Sequence, residues 1–171
     1  SDDNRNYLEV AHILEDSGAS LIAVHGRTAE QMYTGVADWD AIAEVKQAVR
    51  VPVLASGDVR RVADIDRILA HTGCEGVMIG RGVIGNPWLF ARRDPDEVPL
   101  SERVPLIQRH LRMMLDFHGP HHGVHRFRKH LARYLTNCGV TRRERGRWLT
   151  VKDGERLLDA LERLNVGTLE R

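Results

Sequence analysis

The stretch Val77–Phe90, VMIGRGVIGNPWLF, spaces Gly80, Gly82 and Gly85 as Gly-x-Gly-x-x-Gly directly after an apolar run. Glycines in such a turn let a backbone approach a phosphate closely, and Arg81 between them adds a guanidinium whose N–H groups match phosphate oxygens. Two earlier apolar runs end in comparable chemistry. SLIAVH (Ser20–His25) leads into Gly26-Arg27-Thr28, and VPVLAS (Val51–Ser56) into Gly57-Asp58. One such loop reads as a tight strand-to-helix turn. Consecutive glycine loops with a His-x-Arg beside them point to a phosphate-binding edge.

The same spacing opens dinucleotide-binding folds, which need a second strand after the glycine-led helix and an acidic residue about 20 positions on. Here Asp94-Pro95-Asp96 and then helical patterns follow, while two apolar strands precede the glycines. That order sets the dinucleotide reading aside.

The elements that must position these residues repeat three times: a helical pattern, a short apolar strand, a polar turn. Tyr7, Leu8, Val10, Ala11, Ile13 and Leu14 form a helix-period stripe stopped by Gly18. WDAIAEVKQAV (Trp39–Val49), with Asp38 as N-cap, precedes the second strand, and VADIDRILAHT (Val62–Thr72), closed by Gly73, precedes GVMIG (Gly76–Gly80). Near-continuous apolar strands alternating with amphipathic helices predict a parallel sheet covered by helices, with sites gathered at the C-terminal strand edge. After Phe90 the rhythm breaks. ARRDPDEVPLSERVP (Ala91–Pro105), with three of the six prolines, reads as a linker that puts the boundary near residues 92–101. Helical patterns follow at Glu102–His118, Pro120–Asn137, Arg142–Thr150 and Asp153–Leu164, punctuated by Gly139 and Gly154.

Charge follows the same division. Residues 1–100 hold 10 Lys/Arg against 16 Asp/Glu, while residues 101–150 hold 11 against 3 and six of the nine histidines. A net of −6 beside a net of +8 predicts that the second region faces a polyanion. In VHRFRKHLARYLTNC (Val124–Cys138), helical spacing puts Phe127, Leu131, Tyr134, Leu135 and Cys138 on one face. Arg126, Lys129, His130 and Arg133 fall on the opposite face, a stripe suited to phosphate contacts. No stacking module for single strands accompanies it, so shape and backbone reading of a folded RNA is expected. His121 and His125 have a zinc-like i, i+4 spacing, but only Asp116 lies near to add ligands, so no metal site is expected. Trp39, Trp88 and Trp148 read as packing residues. Two distant cysteines, Cys74 and Cys138, and no apolar run of about 20 residues predict a reducing, cytoplasmic setting without a membrane span.

VHGRT (Val24–Thr28), PVLASGDV (Pro52–Val59), TGCEGVMIGRGVIGNPWLF (Thr72–Phe90) and FRKHLARYL (Phe127–Leu135) together resemble the tRNA-dihydrouridine synthase family, in family order over nearly the whole chain. The resemblance implies an FMN-holding β/α barrel followed by a helical domain that helps bind tRNA. It also implies reduction of the 5,6 double bond of particular uridines, with NADPH reloading the flavin. The expected fold class is therefore α/β: a partial TIM (β/α)8 barrel, its last three units at residues 1–93, then an all-α tRNA-binding domain at residues 94–171.

The resemblance implies flavin contacts for His25, Arg27, Ser56, Gly57, Asp58, Gly80 and Arg81, with Ser56 standing where the family carries Asn and Arg27 placed to face flavin or RNA. It implies tRNA contacts for Arg126, Arg128, Lys129, His130 and Arg133. The family's proton-donating Cys follows its fourth strand and would lie before Ser1, so no catalytic residue is expected in this chain. Cys74 precedes its strand and Cys138 ends a helix; both read as structural thiols. The expectation is the C-terminal portion of such an enzyme, with little turnover alone and self-association through bare sheet edges. Two other readings stay open: a different phosphate- or flavin-binding barrel oxidoreductase, and an RNA-binding module without catalysis.

Overall fold

The computed structural model describes residues 5–138 and 140–166, and its contacts divide the chain into two compact units between Val83 and Ile84. The punctuation expected at Gly139 lies outside the described residues.

In the first unit the elements run α1 (Tyr7–Asp16), β1 (Ile22–His25), α2 (Trp39–Ala48), β2 (Val53–Ser56), α3 (Val62–Thr72) and β3 (Gly76–Val77). The three strands are parallel in the order β1-β2-β3, each pair joined through a helix. Pairing sets Ile22 beside Val53 and His25 beside Ser56, so the polar residues that end β1 and β2 share one edge. Val53 and Ala55 are fully buried, and Ile42 and Val45 of α2 with Ile65 and Ile68 of α3 complete this core. Asp38 caps α2 by accepting from the Ala41 N–H at 3.0 Å, and Gly73 closes α3 at φ +68. Both ends follow the predicted capping chemistry.

At the opposite, N-terminal edge, carboxylates serve the fold. Glu75 accepts from the Val53 N–H at 2.8 Å and from Lys46 at 2.5 Å, which hold its carboxyl down at about 2. Glu15 accepts from the amides of Arg50 and Val51. The α1 stripe behaves differently from its sequence pattern. Only Ala11 is buried, while Leu8, Val10, Ile13 and Leu14 remain 37–54% exposed.

The third strand is shorter than its apolar run. After Val77 one further bond, Met78 N–H to Ala55 carbonyl at 2.9 Å, continues the ladder, and the chain then turns through Arg81–Val83 as a single 3-10 turn. No α-helix opens at the glycines. A second 3-10 turn, Pro87–Ala91, buries Trp88 in the core of the helical unit, so the division between units falls before the proline-rich 92–101 segment.

The second unit contains α4 (Leu100–His118), α5 (Pro120–Tyr134), α6 (Arg142–Thr150) and α7 (Gly154–Val166), with Leu135–Asn137 extending α5 as a 3-10 turn. Its core joins Val104, Ile107 and Leu111 of α4 to Phe127 and Leu131 of α5 and Leu157 and Leu161 of α7. The apolar face read along Val124–Cys138 is this core face, and each of its five residues is buried.

Candidate functional site

At the C-terminal edge of the sheet, the residues singled out from the sequence sort into pairs. His25 Nδ1 and Ser56 Oγ lie 3.2 Å apart at the ends of adjacent strands. Ser56 is buried, so its shorter side chain serves the imidazole beside it. Arg27 and Asp58 form an ion pair in which Nη2 donates to both carboxylate oxygens, at 2.8 and 2.7 Å. The Arg27 side chain is only 2% exposed and that of Asp58 19%. Arg27 also donates from Nε to the Thr34 carbonyl and from Nη2 to the Gly35 carbonyl, while Asp58 accepts from the Ala37 N–H at 2.8 Å. Burial acts to raise the Asp58 carboxyl, but Arg27 and the Ala37 amide outweigh it and hold the group below its ordinary range. This pair clamps the 28–37 loop to the end of β2.

The glycines divide by what lies against them. Gly57, at φ +141, has the Ala37 methyl 2.5 Å from where a Cβ would stand, and its carbonyl accepts from the Trp39 indole N–H at 3.2 Å. At Gly82 a Cβ would collide with the Val59 carbonyl oxygen. Gly85, at φ +81, packs on the α5 backbone, where a Cβ would lie 2.5 Å from that of Arg133 and 2.9 Å from the Tyr134 nitrogen. These three close approaches are made by protein and each accounts for a glycine at its position. Gly80 is the exception: nothing stands within 4 Å of its missing Cβ.

Beside Gly80, the Arg81 guanidinium lies 4.3 Å over the ring of Tyr33, and among the described residues it makes no hydrogen bond. A guanidinium held over a ring keeps its N–H donors for other partners. An anion brought to Gly80 therefore meets open backbone and an unspent cation. Tyr33 had no signal in the sequence, since it sits in a polar loop outside any periodic pattern. A cavity of about 310 Å³ adjoins His25 and Arg27, lined also by Asn6, Tyr7, Thr28 and Gln31.

In the second unit, Arg126, Lys129 and Arg133 are exposed along α5 at spacings of three and four, a single cationic stripe. Two other residues assigned to that role turn toward the protein. Arg128 is half-buried and donates to the Val151 carbonyl at 3.3 Å, tying α5 to the segment before α7. His130 is half-buried against His110, with ring centroids 4.8 Å apart. Burial pushes His110 below the ordinary imidazole value. Burial, then the neighbouring His110 and Lys129, does the same for His130. Arg142, Arg143 and Arg147 of α6 are also exposed.

Both cysteines are buried thiols. Burial pushes each one up, and the Cys138 thiol donates to the Tyr134 carbonyl at 3.0 Å. Neither thiol is set up for proton transfer to a ligand.

The family model described as dihydrouridine synthase matches residues 1–165. A probable tRNA-dihydrouridine synthase of Mycobacterium leprae is 41% identical over 143 residues, covering 78% of this chain and 37% of the relative. The corresponding protein of Rickettsia conorii is 36% identical over 153 residues, covering 85% and 46%. The tRNA-dihydrouridine synthase B of Yersinia pestis is 35% identical over 170 residues, covering 95% and 53%. The chain thus spans about half or less of the length of these curated relatives.

Proposed function

Because the chain belongs to the dihydrouridine synthase family, we propose that it supplies the flavin-phosphate edge and the RNA-binding helices of an FMN-dependent tRNA-dihydrouridine synthase. Its first unit corresponds to three β/α units of a (β/α)8 barrel, in which glycine-lined loops after the last strands commonly hold a phosphate. Its second unit is the helical tRNA-binding part.

The observation that carries this reading is the open backbone of Gly80 beside Arg81, a donor-rich guanidinium held over the Tyr33 ring, after β3. That combination fits a phosphate monoester dianion, the terminal group of FMN. When bound, FMN supplies the hydride that reduces the uridine 5,6 double bond, and NADPH restores it. The chain's own task is to bind and orient. Gly80 and Arg81 hold the phosphate, His25 faces the flavin with Ser56 fixing its ring, and Arg27 with Asp58 sets the loop between them. Arg126, Lys129 and Arg133 contact tRNA phosphates, while Arg128 and His130 support that helix from within. A tRNA substrate places this work in the cytoplasm.

With both thiols buried, neither Cys74 nor Cys138 supplies the catalytic acid, and we propose little or no turnover from these 171 residues alone. The exposed apolar residues of α1 and the free sheet edges favour self-association.

Flavin fluorescence titration and tRNA binding across a salt series test the reading together. FMN binding is expected. So is a log–log salt slope that becomes shallower by about 0.9 for each phosphate that Arg126→Glu or Arg133→Glu leaves unneutralised. Unchanged affinity and slope in both variants would remove α5 from the interface. Binding of tRNA without flavin would favour a plain RNA-binding module, and robust uridine reduction by the chain alone would overturn the assignment of catalysis elsewhere.

A further inference from the structure

Arginine is long and flexible, and one that meets a phosphate from a disordered state gives up much rotamer freedom in doing so. Arg81 sits in a single 3-10 turn between two glycines, neither of which offers a side chain to hold it. Its described partner is the Tyr33 ring, at 4.3 Å from guanidinium carbon to centroid. Tyr33 itself is 68% exposed, so it has no part in the core that would explain an aromatic side chain there.

We propose that Tyr33 is a positioning residue for the phosphate subsite at Gly80 and Arg81: its ring holds the guanidinium by one face and presents the N–H edge to a phosphate monoester. The proposal rests on the flavin reading above and names the residue through which its phosphate is recognised.

The loop carrying Tyr33 is unusually well fixed. Arg27 donates to the carbonyls of Thr34 at 3.2 Å and Gly35 at 3.0 Å, immediately after Tyr33. Asp58 accepts from Ala37, and Thr28 and Gln31 exchange two hydrogen bonds on the near side, at 2.9 and 3.3 Å. Met32, next to Tyr33, is held at φ +47, a conformation that a non-glycine residue adopts only where its surroundings impose it. A rigid loop, anchored by a buried ion pair to the end of β2, thus delivers one exposed ring to one cation. Loop and ring together preorganise Arg81 before any ligand arrives.

The test is the affinity of the protein for FMN and for riboflavin, which lacks the phosphate, read by flavin fluorescence in Tyr33→Ala, Tyr33→Phe and Arg81→Ala. Because Tyr33 is exposed, the alanine variant keeps its fold, checked by an unchanged circular-dichroism melt. Tyr33→Ala is expected to weaken FMN roughly two- to fivefold and leave riboflavin unchanged. Tyr33→Phe, which retains the ring face, restores FMN affinity, and Tyr33→Ala adds no further loss once Arg81 is Ala. Equal losses for FMN and riboflavin, or no loss for FMN, would overturn the positioning role. A loss of tRNA affinity with FMN unaffected would also overturn it, by giving the subsite to an RNA phosphate. Absence of flavin binding in the unmodified protein removes the cofactor reading itself, and the proposal with it, before any variant is compared.

Discussion

Asp58→Asn probes the clamp on which the strand edge depends. The amide keeps the shape of the side chain, and asparagine tolerates the left-handed backbone that Asp58 adopts at φ +55. What is lost is the negative charge opposite Arg27, whose side chain is 2% exposed and whose Nη1 is buried with no described partner. Asp58 is therefore the counter-charge of a guanidinium almost wholly out of water. Removing one partner of a buried ion pair costs about 3–5 kcal/mol. Asp58 keeps 19% exposure and the amide oxygen still accepts one bond, so the lower end, about 3 kcal/mol, applies here. Against a total stability of roughly 5–15 kcal/mol for a domain, that is a large fraction.

Urea unfolding reads it as a midpoint lowered by about 1–3 M, given slopes of about 1–3 kcal/mol per M. Hydrogen exchange at the Ala37 amide, which donates to Asp58, localises the effect to the loop. Asp58 has its carboxyl held below the ordinary 3.8, so its contribution is complete above that value and is lost as pH falls through the lower folded value. The gap between parent and variant should close over that acid range. Adding Arg27→Met to Asp58→Asn removes the stranded charge, and the double variant should be more stable than the sum of the single losses predicts. A loss below about 1 kcal/mol at neutral pH, or strict additivity in the pair, would refute the clamp.

Gly82→Ala should destabilise the first unit by about 1–3 kcal/mol in the same unfolding assay, because a Cβ meets the Val59 backbone, whereas Gly80→Ala should leave the midpoint unchanged. His110 and His130 are held neutral by burial, so protonation opposes folding. The stability of the second unit should decline as pH falls below about 6.5, and His110→Phe should flatten that decline in a pH series of thermal melts. Glu75→Gln should make the first unit less sensitive to acid between about 4.5 and 2, since the wild-type carboxylate stabilises the fold above that window and loses its effect within it.

The helical elements were legible in the sequence because their signals are local. The Val124–Cys138 stripe, the cap at Asp38 and the stop at Gly73 each rest on residues three to five positions apart, and each is present in the structure. The α1 stripe shows the limit of that reasoning: periodicity identifies the face to be covered and says nothing of what covers it. The glycine loops expose a deeper ambiguity. A missing Cβ marks a place where something approaches the backbone, and protein and ligand require it equally. At Gly57, Gly82 and Gly85 the approaching atoms belong to Ala37, Val59 and Arg133, residues 20 or more positions away or in another element, which no local pattern specifies.

The polar residues at the strand edge carry the same ambiguity. Arg27 and Asp58 have the chemistry of a ligand-binding pair, yet 31 positions apart in sequence they neutralise each other. Arg27 Nε and Nη2 with the Asp58 carboxylate are engaged within the pair and by the loop between them, while Arg27 Nη1 has no described partner. What remains for a ligand is what the fold leaves unspent. Among the described residues at this edge, that includes the open side of Gly80, the Arg81 guanidinium, whose described contact is the Tyr33 ring, and the exposed ring of His25. Counting which donors the protein has already used therefore discriminates more sharply among these seven residues than their types or spacing do. It also shifts the weight of the site from the ion pair, which the sequence advertises, to a guanidinium held by a tyrosine, which it does not.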